Sequence, residues 1–477
     1  MTKGRIIRGA AAVTAACALM SGCSDIGLGS QSILRPPRAT GNEAALQEIL
    51  NKEAGASYTL KYPQAGDYRS AVSFFDEVNF LSTQQTKNGS TAEQSLKEDQ
   101  IKKYAVAFYS VDNETGSQMY VSFMERTNKK WKQIGKFSNP GSGVDRVIYQ
   151  DITGDGKGEF LVGWTSYNST LNSLTAYTMD NGDLREMTVD ESYSDILVEN
   201  FTGETVRDIM LISLRTDKKP SSANLLQYDR DSKRPMTSVT AELDSGVVSF
   251  QKIVFGKIHK DQSGVVMDCK KEDGNYVTQV LCYDKKTQKL LTPLTPQTND
   301  PKVVSVNPTI RKDLITSRDI NDDGVIEVPV VSSMFSSPDQ NLGDVCNLTT
   351  WIQINAESGQ TENKLNTLIN YADGYYFAFP TRWISKVTAM YDNENRIIYF
   401  YMWNSETASV GDKLLEIHRF RKTDWQKSKS GEGNYVKLLS EENKDKDYVI
   451  AGRLFTTAAQ DSLNINDAEL EKCIRLI

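Results

Sequence analysis

Two acidic stretches with the same spacing constrain this chain more than any other feature of its sequence. The first is Asp151-Ile-Thr-Gly-Asp-Gly-Lys-Gly-Glu159, followed at once by the apolar run Phe160-Leu-Val-Gly-Trp164. The second is Asp319-Ile-Asn-Asp-Asp-Gly-Val-Ile-Glu327, followed by Val328-Pro-Val-Val. Each has oxygen-bearing side chains at its first, third, fifth and ninth positions and glycine at its sixth. A polar turn closed by an apolar run is typical of a β-hairpin, and two copies indicate a repeat.

These turns contain the chemical groups that bind calcium. Calcium takes about six to eight oxygen ligands, which alternate positions of a tight loop can supply while the glycine permits the sharp turn. The alternative is that the acidic side chains only hydrogen-bond to the backbone of the turn and bind no metal.

Two further stretches align with the first turn. One, "ILVENFTGETVRDIMLIS", lacks the glycine at position six, and its four oxygen positions hold Asn200, Thr202, Glu204 and Asp208. The other, "KIVFGKIHKDQSGVVMDC", keeps the apolar flanks but has Lys257 and His259 at ligand positions. We expect its turn to persist without a metal.

A second hairpin recurs between the acidic turns, with a large residue ending its first strand. It occurs at residues 119–123, 174–177, 225–228, 280–283, 350–354 and 414–418. The intervals from Tyr177 to Tyr228 and from Tyr228 to Tyr283 are 51 and 55 residues. A four-stranded unit of this length is one blade of a β-propeller.

The sequence therefore predicts an all-β fold: a β-propeller of six to seven four-stranded blades, with seven favoured because one would be composite. The composite blade combines the runs 435–439 and 448–455 with the early strand 58–62, which closes the ring and leaves no long sheet edge exposed. In the first blade, a polar insert at 77–103 separates strands 71–76 and 104–109. The last strand-turn-strand is predicted at 387–401.

Short helices are expected at both ends of the propeller, at 42–57 and at 459–477. Leu46, Ile49 and Leu50 have helical spacing, and Asn466 with Glu469 resembles a capping box. The predicted segments are a signal at 1–22, a tether at 23–41, a helix at 42–57, a propeller at 58–458 and a closing helix at 459–477.

The N-terminus has the pattern of an export signal. Lys3, Arg5 and Arg8 precede an apolar run at 10–20 that is too short to span a bilayer. The following Met20-Ser-Gly-Cys23 resembles the lipobox of bacterial lipoproteins, which implies a diacylglyceryl group on Cys23 and attachment to the outer face of the cell membrane. The alternative is an ordinary secretory signal in which Cys23 is incidental.

Composition excludes one class of partner. Without the first 22 residues, which hold three basic residues and no acidic ones, the chain has 52 basic and 62 acidic residues, a formal charge of −10. An acidic surface argues against nucleic acid. No later segment is apolar enough to cross a membrane, so the lipid on Cys23 would be the only anchor.

The residues that usually perform catalysis form no recognisable motif. The chain has two histidines, His259 and His418, and neither lies beside a nucleophile motif. Beyond Cys17 and Cys23, the irregular spacing of the cysteines favours buried thiols over disulfides. These cysteines are Cys269, Cys282, Cys346 and Cys473.

Several aromatic residues could line a carbohydrate-binding surface, although strand alternation favours a packing role between blades. They are Trp164, Trp383, Tyr399, Tyr401 and Trp403.

The pattern Asp-x-Asx/Thr-x-Asp-Gly-x-x-Glu before a β run resembles the FG-GAP and VCBS-type repeats of bacterial surface propellers and of the integrin α-subunit. With the lipobox, the whole chain resembles propeller lipoproteins of clostridia-like bacteria. The resemblance implies structural calcium held by side chains of Asp151, Thr153, Asp155 and Glu159 and of Asp319, Asn321, Asp323 and Glu327. The main-chain carbonyls of Lys157 and Val325 would complete the two sites, and the turn at 200–208 is a weaker third candidate.

Without a catalytic motif, we expect a cell-surface module that binds or scaffolds a protein or an envelope glycan. The alternative is an envelope carbohydrate-active hydrolase with carboxylates on the loop face of the propeller, because propellers support both functions. The working surface is expected on the inserts at 77–103 and 336–346, which depart from the repeat.

Overall fold

A computed structural model describes most of the chain after residue 41. It describes residues 42–55, 57–77, 102–113, 116–180, 182–217, 219–295, 306–338, 341, 344–428, 434–439, 448–456 and 461–477. The predicted signal, the tether with Cys23 and most of the first insert lie outside these residues. Two compact units are present. Unit 1 comprises described residues within 42–63, 69–77 and 102–141, and unit 2 comprises those within 64–68 and 142–477.

Unit 1 is one antiparallel sheet with a helix. Its elements are α1 (Asn42–Ala54), β1 (Thr59–Leu60), β2 (Val72–Asp76), β3 (Lys103–Asn113), β4 (Gly116–Thr127) and β5 (Lys130–Asn139). The order is β1-β3-β4-β5, and β2 pairs with a different part of β3. This is sheet one. Leu46 and Leu50 of α1 are buried in a core with Ala105, Ala107 and Met124 of the sheet, which accounts for their helical spacing.

Unit 2 contains five antiparallel sheets in sequence order. Sheet two is β6 (Gly143–Gln150), β7 (Glu159–Thr165), β8 (Asn172–Asp180) and β9 (Asp183–Tyr193). Sheet three is β10 (Asp195–Glu199), β11 (Asp208–Ser213), β12 (Ser222–Asp229) and β13 (Arg234–Glu242). Sheet four is β14 (Val247–His259), β15 (Gln262–Lys271), β16 (Tyr276–Asp284) and β17 (Lys289–Leu291).

The last two sheets each have an added strand. Sheet five has the order β18 (Val328–Ser333), β19 (Asn347–Ile354), β20 (Thr361–Asn370), β21 (Tyr375–Ala378) and β27 (Ile474–Leu476). Sheet six has the order β22 (Val387–Asp392), β23 (Ile397–Asn404), β24 (Ser409–Arg421), β26 (Tyr448–Leu454) and β25 (Val436–Leu439). Helix α2 (Lys422–Ser428) follows β24, and helix α3 (Asp467–Cys473) precedes β27.

Successive sheets of unit 2 pack face to face through apolar residues. Leu161 of sheet two shares a core with Leu211 of sheet three, and Met210 on the opposite face of β11 packs with Val265 of sheet four. The same arrangement continues from sheet four to five and from five to six. Because each strand points alternate residues to opposite faces, one strand contributes to two cores. Serial four-stranded sheets packed in this way are the blades of a β-propeller, which confirms the predicted fold class.

The repeated hairpin is confirmed at five of its six predicted places; at the sixth, β24 runs on to Arg421 and into α2 and does not turn back into a neighbouring strand. Residues 119–123, 174–177, 225–228, 280–283, 350–354 and 414–418 lie in β4, β8, β12, β16, β19 and β24. The predicted strand-turn-strand at 387–401 is β22 and β23. In sheet one, β2 and β3 pair with Phe75 opposite Tyr104, as expected for strands on either side of the insert.

The composite seventh blade was wrong. Its three parts belong to two sheets: β26 pairs with β24 and β25 extends it, while β1 pairs with β3 of sheet one. Strand β24 pairs with β23 along one edge, and its opposite edge pairs with β26 from Leu415 to Arg421. Beside β1, the Tyr58 ring packs edge-on against Tyr109, with centroids 5.6 Å apart.

The C-terminus is a helix and a strand. The Asn466 side chain accepts a hydrogen bond from the Glu469 backbone N–H and caps α3, as the sequence predicts. The helix ends at Cys473, and β27 then pairs with β21, with Phe377 opposite Ile474. The predicted closing helix is thus shorter than 459–477. Among the described residues, no helix has the length and apolar character needed to cross a membrane.

Candidate functional site

The first acidic turn connects β6 to β7 and is braced by its own carboxylates. Asp151 accepts hydrogen bonds from the N–H groups of Gly154 and Gly156 at 2.7 and 2.9 Å. Asp155 accepts one from the N–H of Lys157 at 2.8 Å. Both glycines have φ near +80°, a conformation that favours glycine.

Glu159 closes this turn from inside the protein. One carboxylate oxygen accepts the N–H of Ile152 at 2.9 Å, and the other accepts the hydroxyls of Thr178 at 3.0 Å and Thr153 at 3.4 Å. The side chain is 1% exposed. Burial, reinforced by the nearby negative charges of Asp155 and Asp151, raises the pKa of Glu159 to about 7.

The second acidic turn repeats this geometry. Asp319 accepts hydrogen bonds from the N–H groups of Asp323 at 3.1 Å and Gly324 at 2.8 Å, and Asp323 accepts that of Val325 at 2.9 Å. A single bridge between Arg318 and Glu327 replaces a full entering strand here.

Glu327 occupies the place that Glu159 has in the first turn. It accepts the N–H of Ile320 at 3.0 Å and the side-chain amides of Gln353 at 2.7 Å and Asn321 at 3.3 Å. Its side chain is fully buried, and burial raises its pKa. The two turns therefore share a buried glutamate that bonds to the residue after the first aspartate.

The other two copies differ as the sequence predicts. In the third turn, Asp208 accepts the N–H groups of Phe201 and Thr202 at 3.1 and 3.0 Å, and burial raises its pKa. In the fourth copy, β14 and β15 join in a tight hairpin with His259 opposite Gln262. Lys257 and His259 are strand residues, so this hairpin lacks an acidic turn.

The two close-matching turns have oxygen donors of the kind that bind calcium. Within the described residues, no three His, Cys, Asp or Glu side chains are arranged as a group that could hold a metal. The carboxylates accept hydrogen bonds from backbone N–H groups of their own turns, and Glu159 and Glu327 also accept from Thr178 and Gln353 on neighbouring strands. Each oxygen of Asp151 accepts only one of these hydrogen bonds and keeps a second lone pair, whereas one oxygen of Glu159 and one of Glu327 already accept two. None of the six carboxylates belongs to an ion pair in the described part of the chain. The chemistry of these donors, all oxygen, fits a hard cation.

The four thiols outside the N-terminal segment are free, as expected. Burial raises the pKa of Cys269 and Cys346 to about 12 and that of Cys282 and Cys473 to about 11. They are therefore neutral thiols at neutral pH and poor nucleophiles.

His418 packs its ring on Phe420, with centroids 3.9 Å apart. Burial lowers the pKa of this histidine, so it is neutral near pH 7. No hydrogen bond between His418 and a serine or cysteine side chain occurs among the described residues.

The predicted aromatic residues fall into two groups. Trp164 and Trp383 are fully buried, and the Trp383 indole N–H donates to the carbonyl of Leu463 at 2.7 Å, so these two have a packing role. Tyr399, Tyr401 and Trp403 are half-buried on one face of β23, while the alternate residues Ile398 and Phe400 lie in the core.

Phe335 adjoins Trp403 at one end of this row, and we call the four residues together the aromatic face. The Tyr399 and Tyr401 ring centroids are 6.1 Å apart. Phe335 is stacked on Trp403 with centroids 5.4 Å apart and ring planes within 8°, and 44% of Phe335 is exposed. Sequence reasoning missed Phe335 because it lies after β18, in a segment with no strand periodicity.

Charged residues of β24 and β26 adjoin the aromatic face, and no sequence pattern indicates them. The Lys413 ammonium lies 4.8 Å from the Tyr399 ring centroid and 3.0 Å from a Glu416 carboxylate oxygen. The hydroxyl of Tyr435 donates to the other oxygen of Glu416. Arg453 is the cross-strand partner of Glu416.

The second insert contributes to a separate cavity of about 300 Å³ between sheets five and six. Its walls include Cys346, Leu368, Asn370, Tyr391 and Ile398. Backbone hydrogen bonds hold the insert to sheet six, with Cys346 N–H donating to the carbonyl of Ala389 at 3.0 Å. Most of the first insert lies outside the described residues.

Comparisons with known proteins add little to the assignment of a β-propeller fold. No family model matches the chain, and no curated protein matches it. Among solved structures, it is similar to a periplasmic gluconolactonase of Pseudomonas aeruginosa, with 13% identity over 69% of this chain and 86% of that one and a TM-score of 0.25. It is also similar to the β-propeller domain of the Trilobed protease of Pyrococcus furiosus, with 7% identity over 66% and 85% and a TM-score of 0.24.

A third similar structure is the Dos1 propeller, with 10% identity over 76% of this chain and 87% of that one and a TM-score of 0.25. At such TM-scores these likenesses carry no argument about activity. The fold assignment rests on the sheets of this chain.

Proposed function

We propose that this protein is a non-catalytic binding module on the cell surface and that it binds an envelope glycan through the aromatic face. The observation that carries the proposal is the row of half-buried rings at Tyr399, Tyr401 and Trp403, extended by the stacked Phe335. Successive residues on one face of a strand are separated by about 7 Å. Such a row offers flat apolar surfaces to which the C–H faces of consecutive sugar rings can bind.

The state of the ionisable groups favours binding over catalysis. A glycosidase needs two carboxyl groups facing the sugar, one of them an acid with a raised pKa. Glu159 has such a pKa, but it is buried and fully engaged by Ile152, Thr153 and Thr178. Glu159 is therefore not available as the acid of an envelope hydrolase, which is the alternative function.

Display on the cell surface follows from the proposed lipid on Cys23. The observation behind it is the sequence Met20-Ser-Gly-Cys23 after a basic and apolar segment. Metabolic labelling with a palmitate analogue tests it: the wild type should be labelled and fractionate with membranes, whereas Cys23→Ser should be unlabelled. Label in the variant would contradict a lipid on Cys23.

We further propose that the acidic turns hold structural calcium, in keeping with the resemblance to FG-GAP and VCBS-type repeats. Asp151, Asp155 and Glu159 would hold one ion with Thr153 and the Lys157 carbonyl. In the second turn the same roles fall to Asp319, Asn321, Asp323, Glu327 and the Val325 carbonyl. The ion would supply positive charge beside buried carboxylates that have no cationic partner in the described part of the chain.

Glycan binding can be tested with one variant of the aromatic face and one matched control. The purified mature protein is applied to an array of envelope glycans. We expect binding that Trp403→Ala reduces at least tenfold, whereas Tyr167→Ala, which removes a ring 63% exposed beside sheet two, leaves it unchanged. Circular dichroism checks that both variants remain folded.

A different result would overturn the proposal. If no glycan binds, or if folded Trp403→Ala binds as well as wild type, the aromatic face is not a glycan site. Capture of an envelope protein that is lost in Trp403→Ala would instead assign the face to a protein partner.

A further inference from the structure

The aromatic face has fixed positive charge along one side. The Lys413 ammonium lies 4.8 Å from the ring centroid of Tyr399 and 4.5 Å from that of Phe455. The guanidinium of Arg453 lies 5.1 Å from the Phe455 centroid. A cation above an aromatic ring is held by the electrostatic field of that ring, so both charges have defined positions.

Glu416 positions this charge but does not offer its own to a ligand. The side chain is buried, one oxygen is 3.0 Å from the Lys413 ammonium, and the other accepts the Tyr435 hydroxyl. An ammonium has three N–H donors, so Lys413 keeps donors beyond the one directed at Glu416. The cluster of Lys413, Arg453 and Glu416 has a net charge of about +1, in a chain whose formal charge is −7.

The position of the charge limits where the negative charge of a ligand can be. Lys413 is within 4.8 Å of the Tyr399 centroid, about the width of one sugar ring. The anionic group must therefore belong to the sugar that lies nearest Tyr399. A carboxylate carried on the sugar ring itself meets this condition, whereas a phosphodiester between sugars lies beyond the ring edge.

We propose that the aromatic face selects a glycan that contains uronic acids. One sugar ring lies beside Tyr399 with its carboxylate on Lys413 and Arg453, and the following rings lie along Tyr401 and the Phe335–Trp403 stack. A carboxylate pairs strongly with a lysine and an arginine whose positions are already fixed. This inference rests on the proposed glycan-binding function and specifies its ligand class.

The test uses two probes that differ only in the carboxylate. Hexagalacturonate and its full methyl ester have the same rings, but only the first is charged. In titration calorimetry at low salt, the mature protein should bind the acid at least tenfold more tightly than the ester. Added salt should reduce this difference, since screening weakens exposed charge pairs.

Variants then assign the preference to particular residues. Arg453→Met and the double variant Lys413→Met/Glu416→Gln, which avoids leaving a buried carboxylate unpaired, should each reduce the preference for the acid at least threefold. Both should keep affinity for the ester because the rings remain. Lys260→Met, in the exposed hairpin of sheet four, is the matched control and should leave both affinities unchanged.

The outcomes separate this inference from the proposed function. Equal binding of acid and ester, lost in Trp403→Ala, would overturn selection for uronic acids and leave glycan binding intact. Binding of a phosphate-bearing wall polymer in preference to hexagalacturonate would also overturn it. If neither hexamer nor any arrayed glycan binds, both proposals fail.

Discussion

Arg311 and Asp268 form an ion pair inside unit 2, with the guanidinium 3.0 Å from the carboxylate and both side chains shielded from solvent. Asp268 also accepts the backbone N–H of Ser317 at 2.7 Å and the hydroxyl of Thr278 at 2.7 Å. The pair thus fastens the segment between sheets four and five to β15 and β16.

This pair predicts a large asymmetry between single and double substitution. Arg311→Met leaves a buried carboxylate without its cation and should lower the free energy of unfolding by about 3–5 kcal/mol. Arg311→Met/Asp268→Leu removes both charges and should recover most of that loss. Urea unfolding of the three proteins measures the difference. A double variant as unstable as the single would show that the carboxylate is not the source of the cost.

The raised pKa of Glu159 predicts that stability without calcium falls as pH rises. The pKa is about 7 in the folded protein and 4.5 in the reference state, so the folded state binds more protons between these values. The contribution of Glu159 to the free energy of unfolding is complete below about pH 4.5. It falls by roughly 3 kcal/mol as the pH rises through 7. In chelator, Glu159→Gln should flatten this dependence in thermal melts. An unchanged slope in the variant would assign the effect to other groups.

Calcium should reverse this trend. A cation binds the ionised carboxylates, so stabilisation by millimolar calcium should be larger at pH 8 than at pH 5. Asp155→Asn and Asp323→Asn should each reduce the calcium-dependent rise in melting temperature, whereas Glu394→Gln, in the exposed turn after β22, should not. The absence of any calcium effect on the wild-type protein would refute metal binding by these turns.

The elements that the sequence predicts depend on neighbours close in the chain. The acidic turns, the repeated hairpins and the Asn466 cap all arise from contacts within about ten residues. The flanking strands can be recognised from the alternation of apolar and polar residues. The same alternation placed Tyr399, Tyr401 and Trp403 together, although it could not distinguish their half-exposed face from a core.

The sequence could not predict contacts between residues that are far apart in the chain. Arg311 and Asp268 are 43 residues apart, and nothing near either one indicates its partner. Phe335 and Trp403, which stack on each other, are 68 residues apart in the sequence. The composite blade was wrong for the same reason: β26 could pair with any free strand edge, and only the folded structure fixes that edge as β24.

Gly163 and Tyr193 provide a sharper case of such long-range dependence. A Cβ atom at Gly163 would lie 1.9 Å from the Tyr193 hydroxyl oxygen, which donates to Asp145 at 2.7 Å. Gly163→Ala should therefore cost about 1–3 kcal/mol through overpacking, and Tyr193→Phe about 1 kcal/mol through the lost hydrogen bond. In Gly163→Ala/Tyr193→Phe the colliding oxygen is absent, so the combined loss should be smaller than the sum. Additive losses in urea unfolding would show that the hydroxyl is not what excludes a side chain at residue 163.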